Sequence, residues 1–113
     1  MKVVSRIFGI SFAGLILVLI FSTGTFAAEK APAKQITIDN FSFEHDVTVA
    51  AGTRVTWVNH DDIPHTVVSE DLTTFRSKPL DTDDTFSFTF EKAGTYKYFC
   101  SIHPKMTATV VVQ

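Results

Sequence analysis

One short stretch near residue 100 concentrates side chains that bind transition metals. The heptapeptide CSIHPKM contains the single cysteine of the chain, Cys100, followed at intervals of three residues by His103 and Met106. A thiolate and a thioether are soft metal ligands, and an imidazole suits several first-row transition metals. Three such donors in one short loop indicate a metal site.

A fourth donor must come from elsewhere in the chain. Two histidines and a cysteine with a distant axial methionine are the donors of an electron-transfer copper site, so one histidine is still missing. We predict that it is His65 in WVNHDDIPHTV, because it follows Pro64 in a turn and opens an extended segment that could approach the Cys100 loop. His45 and His60 lie beside aspartates and are expected to face solvent.

Other chemistries use some of these residue types but not the whole set. A lone buried cysteine often serves as a small core residue. Zinc is disfavoured because methionine is not among its usual ligands. A cysteine-histidine nucleophile would leave Met106 without a role, and a multicopper oxidase or nitrite reductase subunit would need further histidine clusters in a chain that has four histidines. Copper storage, delivery or sensing needs the same ligands as electron transfer and stays open as an alternative.

The segments that must position these donors alternate apolar and polar residues from Gln35 onward. In DTFSFTFEKAG, Phe86, Phe88 and Phe90 fall on one face, as a half-buried strand requires. Residues 69–84 are the least regular part and are predicted to form a long connection. Similar runs, separated by turn residues, are QITIDNFSF, DVTVAAG, TRVTWVN, HTVVS, GTYKYFC and TATVVV. Many short strands predict an all-β fold, an antiparallel sandwich or barrel.

The same alternation orients the cysteine. In GTYKYFC, Tyr96, Tyr98 and Cys100 share one side of the strand. If the tyrosines face the core, the thiol does too. Cys100 would then lie at the inner end of a strand, with His103 and Met106 on the turn that follows.

The first residues have the pattern of an export signal. Lys2 and Arg6 precede an apolar run at residues 7–21, and small residues that suit cleavage before Ala28 follow it. The run falls short of the roughly 20 residues that a spanning helix needs, which disfavours the alternative of a retained membrane anchor. We predict three parts: a signal peptide at residues 1–27, a flexible leader at residues 28–34 and a single domain at residues 35–113.

Export and charge limit the function classes. In the periplasm cysteines normally pair, and a lone cysteine cannot form an internal disulfide, so Cys100 needs another role. The signal segment holds two of the ten basic residues and none of the twelve acidic ones, which leaves the mature chain, residues 28–113, with a net charge of −4 when the histidines are neutral. No basic stripe is present to neutralise phosphates, so nucleic acid is excluded as a partner. We expect a monomer without stable membrane insertion after cleavage.

The segments described above resemble the small blue copper proteins, or cupredoxins, and among them the amicyanins. AGTRVTWVNHDDIPHTV is similar to the stretch that carries the first histidine ligand, and FSFTFEKAGTYKYFCSIHPKM is similar to the stretch that carries the other three. Plastocyanin and pseudoazurin place four residues between the second histidine and the methionine, whereas this chain has the short amicyanin spacing. The resemblance implies a Greek-key β-sandwich of about eight strands and one copper ion. It also implies His65, Cys100 and His103 as equatorial ligands and Met106 as the axial ligand.

The resemblance implies an electron carrier without substrate turnover of its own. It would cycle its copper between Cu(II) and Cu(I) and exchange electrons with redox proteins such as a periplasmic dehydrogenase and a c-type cytochrome. We expect docking near Ile102, His103 and Pro104, where apolar residues surround the imidazole edge, with Ile63 and Pro64 enlarging the patch.

Two positions depart from the family pattern. Thr66 stands where the family commonly has an asparagine that ties the two ligand loops together, and its hydroxyl is expected to make part of that link. Ser101 and Ile102 replace the threonine and proline of amicyanin, while Pro104 is kept. These departures bear on redox potential and partner rather than on copper binding.

Overall fold

The computed structural model describes residues 31–113, so the predicted signal peptide and the first three residues of the predicted leader lie outside the described residues. Every regular element of this part is a strand. The strands are β1 (Ala33–Asp39), β2 (Ser42–Phe43), β3 (Val47–Val49), β4 (Thr53–Asn59), β5 (Val68–Ser69), β6 (Thr85–Phe90), β7 (Gly94–Phe99) and β8 (Thr107–Val112). The prediction of an all-β fold of about eight strands is confirmed. β1 begins within the predicted leader, because Ala33 and Lys34 already pair with β4.

The strands form two sheets of four, which pack into a sandwich. One sheet has the order β2-β1-β4-β6 and the other the order β3-β8-β7-β5. β1 runs parallel to β4, and β3 runs parallel to β8, whereas the other pairs are antiparallel. The expectation of purely antiparallel pairing was therefore wrong for two pairs, because alternation specifies which face is buried and not the direction of the neighbouring strand.

The core between the sheets is rich in aromatic side chains. Trp57 of β4 is completely buried, and its ring centroid lies 5.8 Å from that of Phe75 and 5.5 Å from that of Tyr98. Phe90 of β6 is also buried, at 6.3 Å from Trp57. Burying each large side chain contributes about 1.5–3 kcal/mol, so this cluster is a large part of what holds the two sheets together.

The long connection predicted for residues 69–84 spans residues 70–84 in the structure, because Ser69 belongs to β5, and it is tightly anchored. Its Phe75 and Leu80 are buried in the core. Leu80 also exchanges two backbone hydrogen bonds with His65, at 3.1 and 2.7 Å. The predicted strand HTVVS is consequently shorter than expected, and the backbone at His65 is held by this connection instead. Within residues 31–113, no helix has the length and apolar character needed to cross a membrane.

Candidate metal centre

Three of the four predicted donors meet at one end of the sandwich. His65 lies between β4 and β5, Cys100 directly follows β7, and His103 lies in the loop that leads to β8. One ligand atom from each of these residues lies within 4.8 Å of the other two. Segments that are 35 residues apart in the chain are thus brought to one small volume.

The separations between donor atoms fit a first-row metal ion. Cys100 Sγ lies 3.7 Å from His65 Nδ1 and 3.8 Å from His103 Nδ1. Bond lengths of about 2.3 Å to sulfur and about 2.0–2.1 Å to nitrogen, as zinc has, place two donors roughly 3.6–3.8 Å apart at bond angles of about 110–120°. The donor set of two imidazoles and a thiolate suits copper, and the side chains would need little movement to hold it.

The surroundings of Cys100 favour its thiolate form. Burial of this fully enclosed side chain raises the pKa of the thiol, but hydrogen bonding opposes it, first from the Thr66 N–H, which lies 3.3 Å from Sγ, and also from His103. The net effect lowers the pKa from 9.0 to about 6. Because thiolate is the form that binds metals, the residue is ready to act as a ligand near neutral pH.

The loop that carries His103 closes on itself. The Cys100 N–H donates to the Met106 carbonyl at 3.1 Å, and the Met106 N–H donates to the His103 carbonyl at 2.9 Å. Met106 is buried, with 7% of its surface exposed, and belongs to the same core cluster as Cys100. The three-residue spacing therefore produces a tight loop that keeps the histidine and both sulfur residues at the same end of the molecule.

Thr66 ties the two donor segments together, as the sequence led us to expect. Its Oγ1 accepts a hydrogen bond from the Ser101 N–H at 2.7 Å and lies 2.7 Å from Ser101 Oγ. The Ser101 hydroxyl was not anticipated as a partner. A threonine and a serine together thus fix the backbone of the His65 segment against the backbone of the Cys100 loop.

Asp61 is a part of the site that the sequence did not reveal. Its Oδ2 lies 2.9 Å from His65 Nε2, and the residue as a whole is only 7% exposed. The pKa of Asp61 is lowered to about 2, first by the Phe41 N–H and then by His65. Because the carboxylate only accepts hydrogen bonds, His65 carries a proton on Nε2 and the lone pair of Nδ1 is left to face Cys100.

Phe41 is the second unanticipated residue. It lies in the two-residue turn between β1 and β2, where Asn40 and Phe41 both have positive φ angles of 50° and 57°. Its ring contacts both imidazoles nearly at right angles, with centroids 5.8 Å from His65 and 5.1 Å from His103. Phe41 is 52% exposed and Ile102 is 46% exposed, so two large apolar side chains face solvent beside the half-buried His103.

The other two histidines lie apart from the cluster, as predicted. His45 is exposed on the short segment between β2 and β3. His60 is also exposed, and its Nδ1 lies 3.4 Å from a carboxylate oxygen of Asp83. Neither belongs to the group of donors formed by His65, Cys100 and His103.

Comparisons with known proteins agree with this geometry. The profile of the Cupredoxin-like domain family matches residues 11–112. Amicyanin from Paracoccus versutus is 35% identical over 96 residues, which cover 77% of this chain and 71% of that protein.

Among solved structures, a purple cupredoxin from Nitrosopumilus maritimus superimposes with a TM-score of 0.68 at 36% identity, covering 71% of this chain and 99% of its own. An oxidised amicyanin mutant superimposes with a TM-score of 0.67 at 33% identity, covering 76% of this chain and 88% of its own. Sequence, fold and donor geometry thus agree, and the chain belongs to the cupredoxin family, within which it resembles the amicyanins.

Proposed function

We propose that this protein binds one copper ion through His65, Cys100, His103 and Met106 and carries single electrons between redox proteins. The observation that carries the proposal is the spacing of the three closest donor atoms, with sulfur 3.7 and 3.8 Å from the two nitrogens. Bound copper supplies a one-electron couple, and a thiolate, two imidazoles and a weak axial thioether accommodate both of its oxidation states.

The contribution of the protein is to hold the donors still. His65 is fixed by its backbone pairing with Leu80, and Cys100 is fixed by its hydrogen bond to Met106. Thr66 joins the two segments through Ser101. Because a packed sandwich keeps these donor positions in both redox states, little has to move when the electron does.

Partners would approach over the exposed edge of His103. The surrounding surface is largely apolar, with Phe41, Ile102 and Pro104 lining a shallow pocket beside the imidazole and the charged Lys105 on the same pocket. A patch of this kind suits brief contact with another protein, because most of it can be covered without desolvating charged groups. The redox partners that the family resemblance suggests are a periplasmic dehydrogenase and a c-type cytochrome.

The proposal extends to the cellular setting. Residues 1–27 act as a signal peptide, the residues from 28 up to the start of β1 at Ala33 form a leader, and the domain works as a periplasmic monomer that turns over no substrate of its own. Mass spectrometry of the protein from a periplasmic extract tests the cleavage site, and sedimentation tests the oligomeric state. A mature form that retains residues 7–21 would contradict the proposed export and cleavage.

The first experiment is the visible absorption spectrum of the domain with one equivalent of Cu(II), beside Cys100→Ala. We expect an intense thiolate-to-copper band that ascorbate bleaches, that returns on reoxidation and that the variant lacks. Fast electron self-exchange would then support a carrier. A protein that binds copper without this band, or that surrenders copper readily to a competing acceptor, would contradict the proposal and favour copper storage or delivery.

A further inference from the structure

The carboxylate of Asp61 joins two parts of the molecule that are far apart in sequence. Its Oδ2 receives the Nε2–H of His65 at 2.9 Å and the backbone N–H of Phe41 at 3.0 Å. Its other oxygen, Oδ1, receives the N–H of Asp62 at 3.0 Å. One nearly buried carboxylate thus contacts both a predicted metal ligand and the tip of the β1–β2 turn.

The backbone that carries this carboxylate is itself fixed. The Asp61 N–H donates to Asn59 Oδ1 at 2.9 Å, and the Asp61 carbonyl accepts from the Thr82 hydroxyl at 2.6 Å. Asn59 is fully buried, and its amide donates to the carbonyls of Ile63 and Leu80 at 2.9 and 2.8 Å. Hydrogen bonds to the Asn59 side chain therefore fix the turn, and they hold the Asp61 carboxylate in position independently of its contact with His65.

We propose that Asp61 is the positioning residue of the metal centre: it holds His65 with its proton on Nε2, clamps Phe41 over both imidazoles and lowers the reduction potential of the bound copper. The first two effects are properties of the metal-free protein. The third rests on the proposed function.

The physical reason is the direction of the hydrogen bond. A neutral imidazole has one N–H, and a carboxylate that accepts it at Nε2 leaves Nδ1 as the only free donor atom. Such a carboxylate partner also fixes the orientation of the ring and makes the ligating nitrogen more basic. A more basic ligand beside a negative charge favours the more highly charged oxidation state, and hence a lower potential.

Phe41 extends this effect to the surface. Its backbone N–H is held by Asp61, and its ring contacts His103 at a centroid distance of 5.1 Å. The carboxylate therefore fixes the aromatic cover of the proposed docking patch as well as the tautomer of His65. Loss of the carboxylate should therefore make the Phe41 turn more mobile and allow both tautomers of His65 to be populated.

The test compares Asp61→Asn with Asp62→Asn. Asp62 is the neighbouring residue and is exposed, so its substitution removes the same charge without removing a contact to His65. In the metal-free protein, nitrogen-15 NMR reports which nitrogen of His65 is protonated, and hydrogen exchange reports the protection of the Phe41 amide. In the copper-loaded protein, the reduction potential is measured by titration.

We expect the wild type and Asp62→Asn to show the Nε2–H tautomer and a protected Phe41 amide. In Asp61→Asn the tautomers should mix, and the Phe41 amide should exchange roughly tenfold faster. Loss of a residue that hydrogen-bonds a metal ligand typically changes metal affinity by about 10–100-fold. Taking the lower value, we expect the ratio of Cu(II) to Cu(I) affinity to fall about tenfold, which raises the reduction potential by about 59 mV for one electron. Asp61→Glu, which keeps the charge, should restore most of the potential.

Two results would overturn the inference. The first is an unchanged tautomer and Phe41 exchange rate in Asp61→Asn. The second is a potential shift equal to that of Asp62→Asn, which would reduce the effect to net charge. If the wild type formed no thiolate-copper band, the proposed function would fail, but the two metal-free measurements would still decide whether Asp61 positions His65 and Phe41. If Asp61→Asn did not fold, Asp61→Glu would provide the same metal-free readouts, with faster Phe41 exchange expected from its displaced carboxylate.

Discussion

The ionisation of Cys100 should make the stability of the metal-free protein depend on pH. The pKa of the thiol is 9.0 in the unfolded reference and about 6 in the folded protein. Below the pKa of the folded protein, the thiol is protonated in both the folded and the unfolded state and contributes nothing to the pH dependence of stability. Between the two values only the folded state ionises, so the free energy of unfolding rises with pH, and above 9.0 the gain is complete.

The size of this effect follows from the same difference. At about 1.4 kcal/mol for each pKa unit, a shift of three units, from 9.0 to about 6, sets an upper limit of about 4 kcal/mol. His65 presents the lone pair of Nδ1 to Sγ and so cannot donate a hydrogen bond to the thiolate. His103, one of the groups that lowers the pKa, is half-buried and open to solvent, which weakens its influence. We therefore expect a gain of about 2 kcal/mol, between the full value and that of an exposed pair.

The assay is urea unfolding of the metal-free wild type and of Cys100→Ala from about pH 5 to about pH 10, a window that brackets both pKa values. Loss of the sulfur atom adds a constant difference, and most other titrations cancel because both proteins share them. The difference in free energy should increase with pH across the window. A flat difference would refute the assignment of a lowered thiol pKa, and so would a thiolate ultraviolet band with its midpoint near the unfolded value.

Two further predictions concern the link between the donor segments and the docking patch. Thr66→Val removes the hydroxyl that contacts Ser101 twice, and loss of two hydrogen bonds worth about 0.5–1.5 kcal/mol each should lower the free energy of unfolding by about 1–3 kcal/mol. A loss no greater than that of Ser101→Ala would argue against the hydroxyl as the acceptor for the Ser101 N–H. Ile102→Glu should slow electron transfer to a redox partner while leaving the copper spectrum nearly unchanged. Leu72→Glu, at a similarly exposed apolar position that does not line the pocket beside His103, is the control, and equal rates in the two variants would contradict docking at Ile102.

The predicted donors were accessible to sequence reasoning because their signals are local. Cys100, His103 and Met106 lie within one short loop, and alternation along β7 correctly predicted that Tyr98 and Cys100 are buried. His65 was predicted from the proline before it and from the apolar run that follows it, although β5 itself begins only at Val68. In each case the residue type and its spacing are sufficient, without knowledge of which strands pair.

Asp61 and Phe41 could not be found in this way. The two aspartates at positions 61 and 62 look like an ordinary solvated turn, and Phe41 looks like part of an alternating strand. Their roles arise from the contact between segments 20 residues apart, which only the packing of the two turns creates. The parallel direction of β1 against β4 was missed for a related reason, since an alternating pattern is the same for either direction.

The central place of β8 in its sheet has a consequence for the order of folding. β8 pairs with β7 before it and with β3 far upstream, where Val47 lies opposite Val110. The second sheet therefore cannot be completed until β8 is in place, and until then β3 has no partner strand in that sheet. Pairing over such distances folds slowly, because the loop has to close before the contact stabilises it. The loop with Cys100 and His103 joins β7 to β8, which are neighbours in sequence, so its own closure is local. The donor cluster is complete only when His65 reaches Cys100 from 35 residues upstream, so a copper spectrum would report this long-range contact rather than formation of the β7–β8 hairpin.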